Sequence, residues 1–180
     1  MVLRKSYNRA ESDCLNMKTE LKFDEVKEEK VRLLEKNEYA VLATSLNNRV
    51  TARTVTYVSE GLTIIFYTLT SLKKFAQIKA NPKVALCLDN ASIEGIAEIL
   101  GSPHKEENKR LLEIFKKKFG EDWFDWFDSN YPELSVFVKV TPTLIESYIQ
   151  KDNTHAPHAL EYLDLQSKRA YITTEWEKES

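Results

Sequence analysis

Between residues 39 and 68 the chain carries three strand-forming runs joined by two tight turns, and this more than anything else limits what it can fold into. Tyr39-Ala-Val-Leu-Ala-Thr-Ser45 is apolar and rich in strand formers. Leu46-Asn-Asn-Arg49 follows, and its Asn-Asn pair suits a hairpin because asparagine tolerates positive φ. Val50 to Val58 resumes with many β-branched residues, Glu60-Gly61 is the next turn, and Leu62 to Thr68 is the third run. Consecutive strands with such short connections must pair antiparallel, since a parallel pair needs a crossover of a dozen residues or more.

The flanking segments extend this pattern. Residues 1–22 carry no clear periodicity and are expected to be an N-terminal extension, with residues 23–180 forming a single domain. Asp24 is a candidate N-cap for an amphipathic helix ending near Asn37, with Val26, Leu33 and Leu34 on one side. Ser71 to Asn81 reads as a short helix capped by Ser71 and stopped by Asn81-Pro82. Val84 to Leu88 and Ser92 to Leu100 are two further strands. Ser102-Pro103 is expected to open a helix with Leu111, Phe115 and Phe119 along one face and Gly120 as its stop. An aromatic group follows at Trp123, Phe124, Trp126 and Phe127. Leu134 to Val140 and Leu144 to Gln150 form a strand pair, or one strand bent at Pro142. Lys151 to His158 is a loop, and Ala170 to Thr174 is a candidate last strand. The fold class expected is mainly β with flanking helices, an α+β antiparallel barrel, because closure removes edge strands.

Composition narrows the function. The net charge is −2 with basic residues dispersed, which gives no nucleic-acid groove and no polybasic membrane anchor. No apolar run is long enough to span a membrane. Met1 to Asp24 lacks the apolar core of a signal peptide, so the expected compartment is the cytoplasm. Cys14 and Cys87 have no metal-ligand spacing. His155-Ala-Pro-His158 could ligate a metal or haem, but a proline lies between them and no third ligand is evident; solvent-facing loop histidines are the simpler reading. No metal is expected. His104 reads as exposed, and no motif places a nucleophile beside a base, so hydrolytic chemistry has no support.

Three pieces could converge on an anion: Arg53-Thr-Val-Thr56 on a strand, Tyr67-Thr68 at the end of the next, and Lys73-Lys74 in the first turn of the helix that follows. A phosphomonoester carries close to two charges and three strong acceptor oxygens. Arginine offers a planar fork, lysine a mobile point charge, and a helix N-terminus its unpaired N–H groups. Taken singly, each piece reads as readily as a solvated face or an ion-pair partner.

Taken as a set, they resemble the pyridoxamine 5′-phosphate oxidase-like family, the FMN-binding split barrels. That family carries a strand of the form R-x-V, an aromatic-aromatic-threonine strand end, an S-R-K helix start and an N-P after the helix. Here these stand as Arg53-Thr-Val55, Phe66-Tyr-Thr68, Leu72-Lys-Lys74 and Asn81-Pro82. A later strand of the family has glutamine four residues before Glu-Gly; here Asn90 precedes Glu94-Gly95. The resemblance implies an FMN-binding split barrel that forms a homodimer with FMN at the subunit interface. It assigns the phosphate to Arg53, Lys73 and Lys74 and the isoalloxazine ring to Val55, Thr56 and the adjoining backbone. Thr54, Thr56 and Thr68 could bond the ribityl chain or a ring edge, with Tyr67 and Thr68 near the ribityl and phosphate, and Asn90 would reach the flavin from the partner subunit or a neighbouring strand. Leu72 and Lys73 depart from the family's serine and arginine, which keeps one charge but loses the arginine fork. The substrate-binding arginine–leucine–histidine–aspartate–arginine segment of the oxidase proper is missing, and Lys168-Arg169-Ala-Tyr171 does not replace it. True pyridoxamine-phosphate oxidase activity is therefore not expected. The expectation is an FMN-dependent oxidoreductase acting on a small molecule. The alternatives are a non-catalytic or stress-related module holding FMN, a deazaflavin or haem on the same barrel, and a structural dimer with an empty site.

Overall fold

The computed structural model describes residues 17–149 and 159–174. Nine strands and four α-helices follow in the order β1 (Met17–Leu21), α1 (Phe23–Lys36), β2 (Tyr39–Leu46), β3 (Arg49–Glu60), β4 (Thr63–Leu69), α2 (Lys73–Ala80), β5 (Lys83–Leu88), β6 (Ala91–Gly101), α3 (Lys109–Phe119), α4 (Glu121–Asn130), β7 (Ser135–Ile149), β8 (Ala159–Asp164) and β9 (Arg169–Thr174). All pairings are antiparallel. The sheet order is β1-β9-β8-β7-β4-β3-β2-β5-β6, and β6 pairs back onto β7. Strands β2 to β7 therefore close into a six-stranded barrel, as the meander predicts.

The long strand β7 makes closure possible. Its first part, Ser135–Val140, pairs with β4, and its last part, Leu144–Ile149, pairs with β8. Strand β6 runs along its other edge. The two runs on either side of Pro142 are thus one continuous strand. The register shifts between Glu94 and Gly95, opposite Pro142, where proline has no N–H to give to the ladder. Gly95 is needed there for space rather than for backbone freedom. A Cβ at this position would lie 2.7 Å from Val140 Cγ1 and 2.8 Å from the Thr141 carbonyl oxygen.

Alternation fills the barrel. Leu42, Tyr57, Phe66, Leu86, Ile93, Val138 and Val140 are buried inside it, and Val26 and Leu34 of α1 join the same core. The opposite face of β3 and β4 carries Val58, Ile65 and Tyr67, covered by Leu111 and Phe115 of α3. Phe115 stacks on Phe137 with ring centroids 5.0 Å apart. Asn47 and Asn48 both have positive φ, the requirement the Asn-Asn turn was expected to meet. Gly120, at φ 90°, closes α3.

Three helix starts differ from expectation. Lys22, not Asp24, is the N-cap of α1, and Asp24 lies in the first turn, where it favours the helix dipole. The N-cap of α2 is Leu72, so Ser71 does not cap it. Ser102-Pro103 opens a turn instead of α3: Ser102 Oγ accepts the His104 N–H at 3.2 Å, and α3 begins at Lys109. Strand β1, within the stretch expected to be an extension, pairs with β9 from Met17↔Thr174 to Leu21↔Ala170. The Lys151 to His158 loop, with both of its histidines, lies outside the described residues, as do the side chains of Trp123, Phe124 and Phe127. Trp126 on α4 is exposed. No helix among the described residues is long and apolar enough to cross a membrane.

Candidate functional site

The site is built where α2 covers one end of β2 and β3. Along β3, Arg53 shares a face with the buried Val55 and Tyr57, whereas Thr54 and Thr56 point to the outer surface. Cross-strand pairing places Thr54 beside Val41 and Thr56 beside Tyr39, both exposed. Since the Val55 side chain is buried, anything lying on the outer face of the sheet can meet only the Val55 backbone.

Arg53 is held by neutral groups. One terminal nitrogen donates to the Leu42 carbonyl at 3.1 Å and to Thr44 Oγ1 at 2.7 Å. The other donates to Thr51 Oγ1 and to Gln77 Oε1, the latter at 3.3 Å. Lys74 lies close enough that the Arg53 charge pushes its amine below the ordinary lysine range, adding to the larger effect of burial. Burial also lowers the Arg53 guanidinium. Among the described residues, no carboxylate forms an ion pair with Arg53, Lys73 or Lys74.

The start of α2 adds to this imbalance. Its first turn contains two lysines and no acidic residue, and its N-cap makes no side-chain bond. Cations at a helix N-terminus oppose the helix dipole, and the first N–H groups there have no partner within the helix. An anion at this position would relieve both. Thr68, at the end of the strand leading to α2, is 2% exposed, and its Oγ1 has no hydrogen-bond partner among the described residues. A buried hydroxyl left unsatisfied carries a real cost. Unpaired cations, an uncapped helix start and an orphaned hydroxyl form a donor set that fits a phosphate ester.

The other expected site residues are placed differently. Tyr67 lies on the opposite face of β4 from Thr68, where its hydroxyl bonds Ser135 Oγ and its ring meets Phe137 edge-on at 6.3 Å. Asn90 sits in the β5–β6 turn, with its side chain donating to the Tyr148 carbonyl at 2.6 Å. Val84 pairs with Thr44 and Cys87 with Val41, so the chain beyond Leu88 runs away from the cations. Asn37, at the end of α1, bonds the neighbouring Asp89 at 3.1 Å. One chain therefore brings Arg53 and Lys74 together, puts Lys73 in the same helix turn as Lys74 and Thr68 near the end of the strand before that helix, and leaves Asn90 at the other end of β2. A groove of about 570 Å³ runs over β2, β5 and β6, lined by Ala43, Val50, Ala85 and Ile96 among others. None of Arg53, Lys73 and Lys74 lines it. Sequence reading did not single out Thr44, Thr51 or Gln77. Only the fold reveals them, by burying Gln77 beside Ile78 on the inner side of α2.

Comparison with known proteins identifies the family and the fold. A family model described as pyridoxamine 5′-phosphate oxidase matches residues 26–148. Among solved structures, ChuZ from Campylobacter jejuni is similar with a TM-score of 0.65 and 16% identity, over 87% of this chain and 64% of that one. An FMN-binding protein from Nostoc punctiforme, described as pyridoxamine 5′-phosphate oxidase-related, gives 0.59 and 14% over 83% of this chain and 94% of that one. The haem storage protein HutZ from Vibrio cholerae gives 0.53 and 14% over 64% and 89% respectively. At such identities these structures share the fold. No curated protein matches the chain.

Proposed function

The chain belongs to the pyridoxamine 5′-phosphate oxidase family, and from this premise we propose that it is a flavoprotein binding FMN at a homodimer interface. We propose further that it acts in the cytoplasm as an oxidoreductase on a small molecule. The observation that carries this reading is the Arg53 guanidinium, held only by neutral oxygens beside a helix start that carries two lysines and no acidic residue. The bound flavin would supply the redox chemistry, and the protein its binding and orientation. Arg53, Lys73 and Lys74 would hold the phosphate, Thr68 would gain a partner for its orphaned hydroxyl, and Thr54, Thr56 and the Val55 backbone would face the ring.

The dimer is supported by two features. Tyr39, Val41, Val50 and Ile96 leave apolar surface exposed on the outer faces of β2, β3 and β6. The family resemblance adds that Asn90, at the other end of β2 from Arg53, would reach the flavin of a partner subunit. Pyridoxamine phosphate itself is not the substrate proposed. The oxidase's substrate-binding segment is missing, and Arg169, in the Lys168-Arg169-Ala-Tyr171 stretch that does not replace it, is ion-paired with Glu20.

A second reading is a cofactor-binding module without a dedicated turnover. The similarity to a haem storage protein favours its haem form. The absorption spectrum of the purified protein, followed by titration with FMN and with haem, separates the two. Flavin bands and a preference for FMN support the first reading; a Soret band with no flavin binding overturns it. Efficient formation of pyridoxal phosphate in a steady-state assay would contradict the exclusion of that substrate.

A further inference from the structure

We propose that Gln77 is a positioning residue that fixes Arg53 in place while leaving its charge uncancelled, and so sets the preference for a phosphorylated ligand. This rests on the phosphate reading above and adds to it a residue outside the cationic set.

The direction of the hydrogen bonds carries the inference. Thr44 and Thr51 each accept a bond from Arg53 through the hydroxyl oxygen. Their own hydroxyl protons must then go to a pure acceptor. Both go to Gln77 Oε1, at 2.7 Å from Thr44 and 2.8 Å from Thr51, and Arg53 reaches the same oxygen at 3.3 Å. The Gln77 amide nitrogen donates to the Arg49 carbonyl at 3.4 Å, which fixes which way the amide points. Gln77 is 2% exposed, so no water competes for these groups. The guanidinium thus sits in a closed ring of acceptors that ends on a neutral atom. Glutamate would satisfy the same three donors. It would also place a full negative charge against Arg53 and cancel the field that an anion at the start of α2 would feel. Leucine or methionine would avoid the charge but leave the buried Thr44 hydroxyl and the half-buried Thr51 hydroxyl without their shared acceptor. Glutamine is the residue type that meets both demands at once.

The test is Gln77→Glu, with FMN and riboflavin titrated separately against the wild type and the variant. The phosphate is the sole difference between the two ligands, so riboflavin binding also reports that the variant is folded and its ring site intact. The expected result is FMN weakened by about tenfold to a hundredfold with riboflavin unchanged. A merely structural role for Gln77 would move both ligands together, and that result overturns the proposal. If Gln77→Glu does not fold, Thr51→Val is the second variant. It is isosteric and removes one bridging hydroxyl, and it should weaken FMN by about twofold to tenfold with riboflavin unchanged. A loss shared equally by the two ligands overturns the proposal here too. If the wild type shows no preference for FMN, the phosphate reading falls and this inference with it. If the wild type prefers FMN and the variants keep its ratio to riboflavin, this inference alone falls.

Discussion

Helices α1 and α2 each cover part of the sheet with a cation beneath them, and they treat that cation in opposite ways. Under α1, Lys30 is 3% exposed and lies 2.5 Å from Glu161 of β8, itself 5% exposed. The first turn of α1 carries Asp24 and Glu25, which suit its dipole. Under α2, Arg53 meets only carbonyl, hydroxyl and amide oxygens, and the first turn carries Lys73 and Lys74. The α1 seat is electrically complete within the chain, whereas the α2 seat is complete only with an anion added. The same ingredients, a short helix, a sheet and a withdrawn cation, give a structural joint in one place and a candidate binding site in the other.

The largest effect should come from breaking the complete seat. Glu161→Gln leaves Lys30 buried without its partner, which typically costs about 3–5 kcal/mol. The low end of that range is expected, because the exposed Glu29 also reaches Lys30 at 3.0 Å. Denaturant unfolding measures the loss, and the ratio of FMN to riboflavin affinity should not move. A change in that ratio would mean that the two seats are coupled.

Breaking the incomplete seat should do the reverse. Arg53→Ala should lower FMN affinity by about tenfold to a hundredfold, given about 1.5–3 kcal/mol for a hydrogen bond to a charged group. Stability of the ligand-free protein should fall by less than in Glu161→Gln, because no buried charge is left unpaired and the repulsion of Lys74 is relieved, which offsets part of the lost hydrogen bonding. A stability loss as large as that of Glu161→Gln would show that Arg53 is a structural residue like Lys30.

A smaller effect is expected in pH. Burial, and then the Arg53 charge, hold the Lys74 amine below its usual 10.5. Between the lowered value and 10.5 the unfolded chain binds more protons than the folded one, so ligand-free stability should rise with pH in that window. Below the window the penalty is present in full. Thermal melting across this range checks the rise, and Arg53→Ala should shrink it. An unchanged rise in the variant would remove Arg53 as a neighbour of Lys74.

The sequence was most informative where one local rule decides the outcome. Asn47-Asn48 requires positive φ and turns the chain, and the strands beside it alternate cleanly. It was least informative where a partner far along the chain decides. Met17–Leu21 has little pattern of its own and becomes a strand because it pairs with Arg169–Thr174. Glu94-Gly95 was visible as a motif, yet its physical reason, the approach of β6 to Val140 and Thr141, exists only across two strands. In the candidate site, Arg53, Lys73 and Lys74 stood out as charges on familiar spacings. Thr44, Thr51 and Gln77 did not, because polar residues on strands and helices look like solvent-facing ones until the fold buries them. Serine is a strong N-cap by residue type, yet α2 starts after Leu72 and α3 after Asn108, so neither helix begins at the serine that precedes it.

The central claim is that the start of α2 is a seat for the phosphate of a flavin. It is tested most directly by fluorescence-quenching titration of FMN and riboflavin against the wild type and the Lys73→Ala/Lys74→Ala double variant, at low and high salt. The wild type should prefer FMN, and the preference should narrow at high salt because exposed charges are screened. The double variant should lose about tenfold to a hundredfold in FMN affinity and keep its riboflavin affinity. Equal losses for both flavins, or a wild type indifferent to the phosphate, would contradict the claim and leave the two lysines as a solvated helix face.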